Sequence, residues 1–189
     1  MKGDSTMRKK FKMVLISLSF LIIGGLLVAC GKVKEEKVTT EVTESTEETN
    51  LVDGYVLNLP NGYELGSEED GVYTYNNGKS MITYYVTEPE VIAEDVTYDH
   101  LHAMLAQNFG GVEIDYYTED IGDVKYANYI ARQTIDNIIY TMDCNLFADV
   151  NKKKYVTLVQ LANGSDENFK QEASEFFDYK EQFIEENFK

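Results

Sequence analysis

Few residues in this chain can do chemistry, and their spacing decides what kind. Its 189 residues hold two cysteines, Cys30 and Cys144, and two histidines, His100 and His102. Cys144 lies in an alternating run with Ile138, Tyr140, Met142 and Leu146 on its own face. That is the setting of a small buried hydrophobe, not of an activated thiolate, so a structural role and resistance to thiol reagents are expected. A His-x-His pair chelates metal from a strand, where i and i+2 share a face. Here it opens a helical pattern, in which the two side chains diverge, and no third histidine exists to complete a zinc site. The acid clusters Glu68-Glu69-Asp70, Glu119-Asp120 with Asp123, and Asp166-Glu167 lack the spacing of an EF-hand loop and offer weak calcium binding at most. No Gly-x-Ser-x-Gly, Ser-x-x-Lys, phosphate-binding loop or Cys-x-x-Cys occurs. Neither a catalytic residue, a metal nor a cofactor is therefore expected. Tyrosines remain. Tyr84-Tyr85 and Tyr116-Tyr117 put one ring on each face of a strand. Exposed tyrosine suits recognition of proteins or sugars, which makes these four the candidate binding surface, with a tyrosine-rich core as the alternative.

Cys30 has a different context. Lys2, Arg8, Lys9, Lys10 and Lys12 precede an apolar run from Met13 to Val28, which ends in Leu27-Val28-Ala29-Cys30-Gly31. A basic start, an apolar stretch and a small residue at the cut define a secretory signal peptide over residues 1–29. Because a cysteine directly follows the small residue, the segment resembles the bacterial lipoprotein subclass, whose lipobox reads Leu-x-(Ala/Gly/Ser)-Cys. That resemblance implies a diacylglycerol on the Cys30 thiol, cleavage between Ala29 and Cys30, and anchorage on the extracytoplasmic face of a membrane. An uncleaved membrane anchor is the alternative, since the uncharged stretch sits near the lower end of the roughly 17–25 residues that span a bilayer. Basic residues on the N-terminal side place the rest of the chain outside in either case.

Removing residues 1–29 takes away five basic residues and one acid, leaving 12 Lys+Arg against 32 Asp+Glu, a formal charge of −20. Such a charge excludes nucleic acid as a partner, because that binding depends on cations neutralising phosphate. With Cys30 lipidated, Cys144 is the one remaining thiol, so the exported chain has no internal disulfide and relies on packing. Residues 30–50 form the lipidated cysteine and a tether. From Lys32 to Asn50, six residues are Thr or Ser, six are Glu and three are Lys, without the apolar surface needed to offset ordering entropy.

From Leu51 to Lys189 the texture is that of a single α+β domain. Strands are expected at Tyr55–Leu59, near Val72–Tyr75 and at Ser80–Thr87, separated by Pro60-Asn61-Gly62, Asp70-Gly71 and Asn76-Asn77-Gly78. Leu101, Met104, Leu105 and Phe109 recur at helical spacing, with Asp95 or Thr97 as cap and Gly110-Gly111 as stop. A short strand over Val112–Tyr117 precedes three longer ones, near Lys125–Ile135, Ile138–Ala148 and Lys154–Leu161, the first two joined by Asp136-Asn137. An amphipathic helix over Asp166–Phe188, capped by Ser165 or Asp166, closes the chain.

This order, with the opening Tyr-Val-Leu-Asn-Leu-Pro-Asn-Gly-Tyr-Glu-Leu at residues 55–65, resembles Mog/PsbP-like domains. The resemblance implies an antiparallel sheet of about six to seven strands between helices, an α/β/α sandwich. Its members include exported lipoproteins and small proteins that bind other proteins or assist assembly. The expectation is therefore a non-enzymatic binding or assembly module for an envelope protein or cell-wall ligand. A hydrolase using paired carboxylates and a small-ligand receptor are the alternatives.

Overall fold

The computed structural model describes residues 51–89 and 96–189. The segments expected as signal peptide and tether, with Cys30, and the candidate cap Asp95 lie outside these residues.

The chain divides into two units after Asn58. In the first, strands β1 (Leu51–Val52) and β2 (Tyr55–Val56) pair as an antiparallel hairpin. Its turn residues Asp53 and Gly54 have φ of 53° and 87°, the positive values that a tight two-residue turn needs to match strand twist. The strand expected over Tyr55–Leu59 is thus only two residues long and pairs back onto Leu51-Val52. The second compact unit runs from Leu59 to Lys189.

In the second unit the elements are β3 (Glu64–Glu69), β4 (Val72–Asn76), β5 (Ser80–Thr87), α1 (Tyr98–Phe109), β6 (Val112–Ile121), β7 (Val124–Ile135), β8 (Ile138–Asp149), β9 (Lys154–Asn163) and α2 (Phe169–Phe188). All seven strands form one sheet in the order β3-β4-β5-β9-β8-β7-β6, antiparallel at every step. The fold is α+β, as expected. Strand β3 escapes the apolar pattern because its sequence, Glu-Leu-Gly-Ser-Glu-Glu, is exposed at five of six positions. As an edge strand it needs only backbone pairing to β4 across the Asp70-Gly71 turn. Strand β6 is longer than expected, and a bulge between Glu113 and Asp115 shifts its register.

The Asp136-Asn137 turn sets the central register. Both residues have positive φ, 51° and 65°, so Ile135 faces Ile138 and every later pair of β7 and β8 follows from it. Cross-strand partners share a face. Tyr129, Cys144 and Val159 therefore lie together on one face, and Tyr126, Phe147 and Val156 on the other.

One helix covers each face. Helix α1 buries Leu101, Leu105 and Phe109 on the Cys144 face, where Tyr129 Oη donates to the Gly110 carbonyl at 3.2 Å. Thr97 caps it, its Oγ1 accepting from His100 N at 3.2 Å. Gly111, at φ 86°, lets the exit of α1 touch β7: a Cβ there would stand 2.9 Å from the Arg132 carbonyl oxygen. Helix α2 seats Phe183 and Phe188 on Phe147, with ring centroids 5.6 and 4.8 Å apart, and Phe183 also meets Tyr84 at 6.3 Å. It starts at Phe169, later than expected, with Asn168 at the N-cap position but making no side-chain capping bond. Asp166 instead stabilises the preceding turn, accepting from Asn168 N at 2.7 Å. Among the described residues no helix is long and apolar enough to cross a membrane.

Candidate functional site

The four candidate tyrosines separate. Tyr84 and Tyr85 are 0% and 4% exposed. Each lies under packed neighbours on its face of β5, a central strand, so neither belongs to a binding surface. This corrects the expectation for that pair. Tyr116 is half-buried on the α1 face, its hydroxyl donating to the Tyr98 carbonyl at 2.9 Å. Its ring also packs on His102 at 4.3 Å. Tyr117, on the α2 face of β6, is 51% exposed.

Tyr117 does not stand alone. Its cross-strand partner is Asn128, whose partner is Asn145, and all three share the α2 face. Asn128 and Asn145 are buried. Asn145 Nδ2 donates to the Leu158 carbonyl at 3.3 Å and to Asp143 Oδ1 at 2.9 Å, and its Oδ1 accepts from Tyr126 Oη at 2.7 Å. Asn128 Nδ2 reaches Asp143 Oδ1 at 2.6 Å and Asn145 Oδ1 at 2.9 Å. The Leu158 carbonyl can only accept, which sets the orientation of the Asn145 amide and, through it, that of Asn128. The network thereby places both amides on one oxygen of the half-buried Asp143. Asp143 Oδ2 and Asn128 Oδ1 have no partner among the described residues.

The aromatic rim is held from two sides. Tyr117 meets Tyr126 edge-on at 6.3 Å, and its hydroxyl donates to Glu119 Oε2 at 2.8 Å. That bond keeps the Tyr117 phenol above its ordinary pKa. Burial first, then the charges of Asp143, Glu119 and Glu181, raise that of Tyr126. Glu181 belongs to α2, so the helix flanks the network.

The core of the network was missed from sequence, although a signal was present. A two-residue turn at Asp136-Asn137 pairs residue 128 with 145 and 126 with 147. That register puts two asparagines opposite each other, one pair along from Tyr126 and Phe147 on the same face. Asn145→Ala is expected to lower unfolding stability by about 2–4 kcal/mol, because it strands the Tyr126 hydroxyl in a buried site and takes one partner each from the Asn128 amide, Asp143 and the Leu158 carbonyl. Denaturant titration measures this, and a change below about 0.5 kcal/mol, the size of an ordinary surface substitution, would refute the cooperative network.

A second polar cluster lies where α2 begins. Glu172, 5% exposed, accepts from Ser80 Oγ at 2.8 Å and Asn77 Nδ2 at 2.9 Å, and Lys79 Nζ lies 3.6 Å away. Gln160 Nε2 donates to the Glu172 carbonyl at 3.1 Å, and Tyr63 hydrogen-bonds Ser80. A carboxylate in the first helical turn is favoured by the helix dipole. These groups satisfy one another, so the cluster ties the β4–β5 turn to α2.

The remaining sequence candidates fall elsewhere. His102 Nε2 lies 2.8 Å from Glu113 Oε2, and His100 is exposed on the same helix. Among the described residues no group of three or more His, Cys, Asp or Glu side chains could hold a metal ion. Cys144 is fully buried, and that burial pushes its thiol pKa well up. Native protein should therefore show negligible reaction with a thiol reagent over a time in which the denatured chain reacts completely. Equal rates would overturn the structural role.

No protein family matches the chain, and no curated protein matches it. Among solved structures, a protein of unknown function from Pseudomonas aeruginosa is similar, with a TM-score of 0.40 and 6% sequence identity, over 69% of this chain and 92% of that one.

Proposed function

We propose that this chain is a lipoprotein, held by lipid on Cys30 at the extracytoplasmic face of the cell membrane, whose domain binds an envelope protein or a cell-wall ligand without catalysing a reaction. Leu27-Val28-Ala29-Cys30 behind a basic and then apolar segment supports the anchor. Two acyl chains suffice for stable attachment, each buried CH₂ contributing about 0.8 kcal/mol, so the domain needs no lipid-binding face of its own. The acidic tether supports display away from the membrane, since like charges extend a chain. The observation that carries the binding reading is Tyr117, exposed beside acceptors held in place by a buried amide network. A rigid aromatic ring next to oriented polar groups is the usual composition of a recognition surface.

The test is retention. Full-length chain in detergent, immobilised through a C-terminal tag, should retain a discrete envelope protein or purified cell-wall polymer. If it retains neither, the binding reading fails.

A further inference from the structure

We propose that Tyr117, Asn128 and Asp143 form a subsite for an uncharged saccharide. The inference rests on the binding reading above and names the ligand class. Three observations carry it. First, the network's two side-chain oxygens without a partner among the described residues, Asp143 Oδ2 and Asn128 Oδ1, are both acceptors. Sugar hydroxyls present donors, and planar acid and amide groups are suited to receive them. Second, Tyr117 stands on the same row of the sheet as Asn128 and is half exposed. An aromatic face beside such acceptors takes the apolar C–H face of a sugar ring, while the hydroxyls at the ring's edge reach the polar groups. Third, the surroundings are acidic. Glu119 and Glu181 both act on the Tyr117 phenol, and Asp143 and Glu119 on that of Tyr126. Negative potential here repels phosphate, sulfate and uronate groups, which selects a neutral glycan over an anionic one.

The network also accounts for preorganisation. Asp143 is held on Oδ1 by the amides of Asn128 and Asn145, and Asn145, which also accepts from Asn128, is 0% exposed. The free acceptors therefore need no ordering when a ligand arrives, which lowers the entropic cost of binding.

Isothermal titration of the full-length chain in detergent tests this, with three probes: the uncharged tetramer of N-acetylglucosamine, the uncharged tetramer of glucose, and an oligomer containing uronic acid. At least one uncharged tetramer should bind in the sub-millimolar range and the uronate oligomer should not. Tyr117→Ala should weaken binding about tenfold through loss of the ring contact. Tyr117→Phe keeps the ring and should stay within about twofold, less than the loss of one aromatic contact. Asp143→Asn keeps the Oδ1 acceptor but turns Oδ2 into a donor, so binding should weaken about tenfold or more while the unfolding midpoint stays close to wild type. The subsite is overturned if neither neutral tetramer binds, if the uronate oligomer binds more tightly than both, or if Tyr117→Ala and Asp143→Asn bind like wild type. Retention of an envelope protein or whole cell-wall polymer by both variants at wild-type level would leave the broader binding reading standing while removing this site. Loss of all retention by the wild-type chain would remove both.

Discussion

Cys30→Ala is expected to abolish fatty-acid labelling of the chain and to leave a precursor that still carries residues 1–29. Under the proposed reading the thiol of Cys30 is the group that accepts the diacylglycerol, and a methyl group cannot form that thioether. Processing at Ala29 follows lipidation in the lipoprotein class that the segment resembles, so one substitution removes both steps. The expected effect is all-or-none. The alternative, an uncleaved membrane anchor, makes the opposite forecast, because the apolar run from Met13 to Val28 would hold the chain whatever stands at position 30. Metabolic labelling with a fatty acid, read beside the electrophoretic mobility of the chain, separates the two. Normal processing of the alanine variant would end the lipoprotein assignment.

Alkaline pH should unfold the domain cooperatively well below the pH at which its buried phenols would ionise in place. Burial raises the pKa of Tyr85, Tyr126 and Tyr179 above the ordinary phenol value of 10.0. Burial and then the Asp120 carboxylate push that of Tyr98 up to about 12. In the unfolded chain these groups lose their protons near pH 10, whereas in the folded chain they keep them. The folded state therefore binds more protons above pH 10, and its stability falls as pH rises. The slope is about 1.4 kcal/mol per pH unit for each retained proton. Three fully buried tyrosines give about 4 kcal/mol per unit, enough to exhaust a typical stability of about 5–15 kcal/mol within two to three units. Below pH 10 these groups contribute no pH dependence. Phenolate absorbance after a pH jump should show a fast phase from the exposed tyrosines. A slower phase should coincide with loss of near-ultraviolet circular dichroism. A single fast phase with the fold intact would refute the burial of these rings. Tyr179→Phe gives a control. Among the described residues the buried Tyr179 hydroxyl has no hydrogen-bond partner, so removing it should stabilise the neutral protein by about 1 kcal/mol and move the alkaline transition upward.

Local chemistry made much of the fold legible. The tight turns at Asp70-Gly71 and Asp136-Asn137, the cap at Thr97 and the alternation of β8 can each be read from a few neighbouring residues, because turn geometry, capping and the period of two are local effects. Strand β3 was not legible, since an edge strand exposed at five of six positions carries no apolar pattern and owes its conformation to pairing with β4. The start of α2 was misplaced for a similar reason: Asp166 has the chemistry of a cap, and only the path of the chain decides that it serves the preceding turn.

The candidate site divides along the same line. Sequence by itself determined the Cys30 context, the acidic charge, the structural setting of Cys144 and the rule that adjacent tyrosines face opposite ways. It could not determine which tyrosines are covered, because that depends on strand order. β5 became central only when β9 paired beside it, which buried Tyr84 and Tyr85, while β6 remained at the edge and left Tyr117 open. Nor could it bring Asn128, Asp143 and Asn145 together, since their hydrogen bonds join strands whose register is set at Asp136-Asn137 and whose outer face is only partly covered by α2. Tertiary structure decided exposure and juxtaposition because both depend on contacts between residues far apart in the chain, whereas turns, caps and export signals depend on residues next to one another.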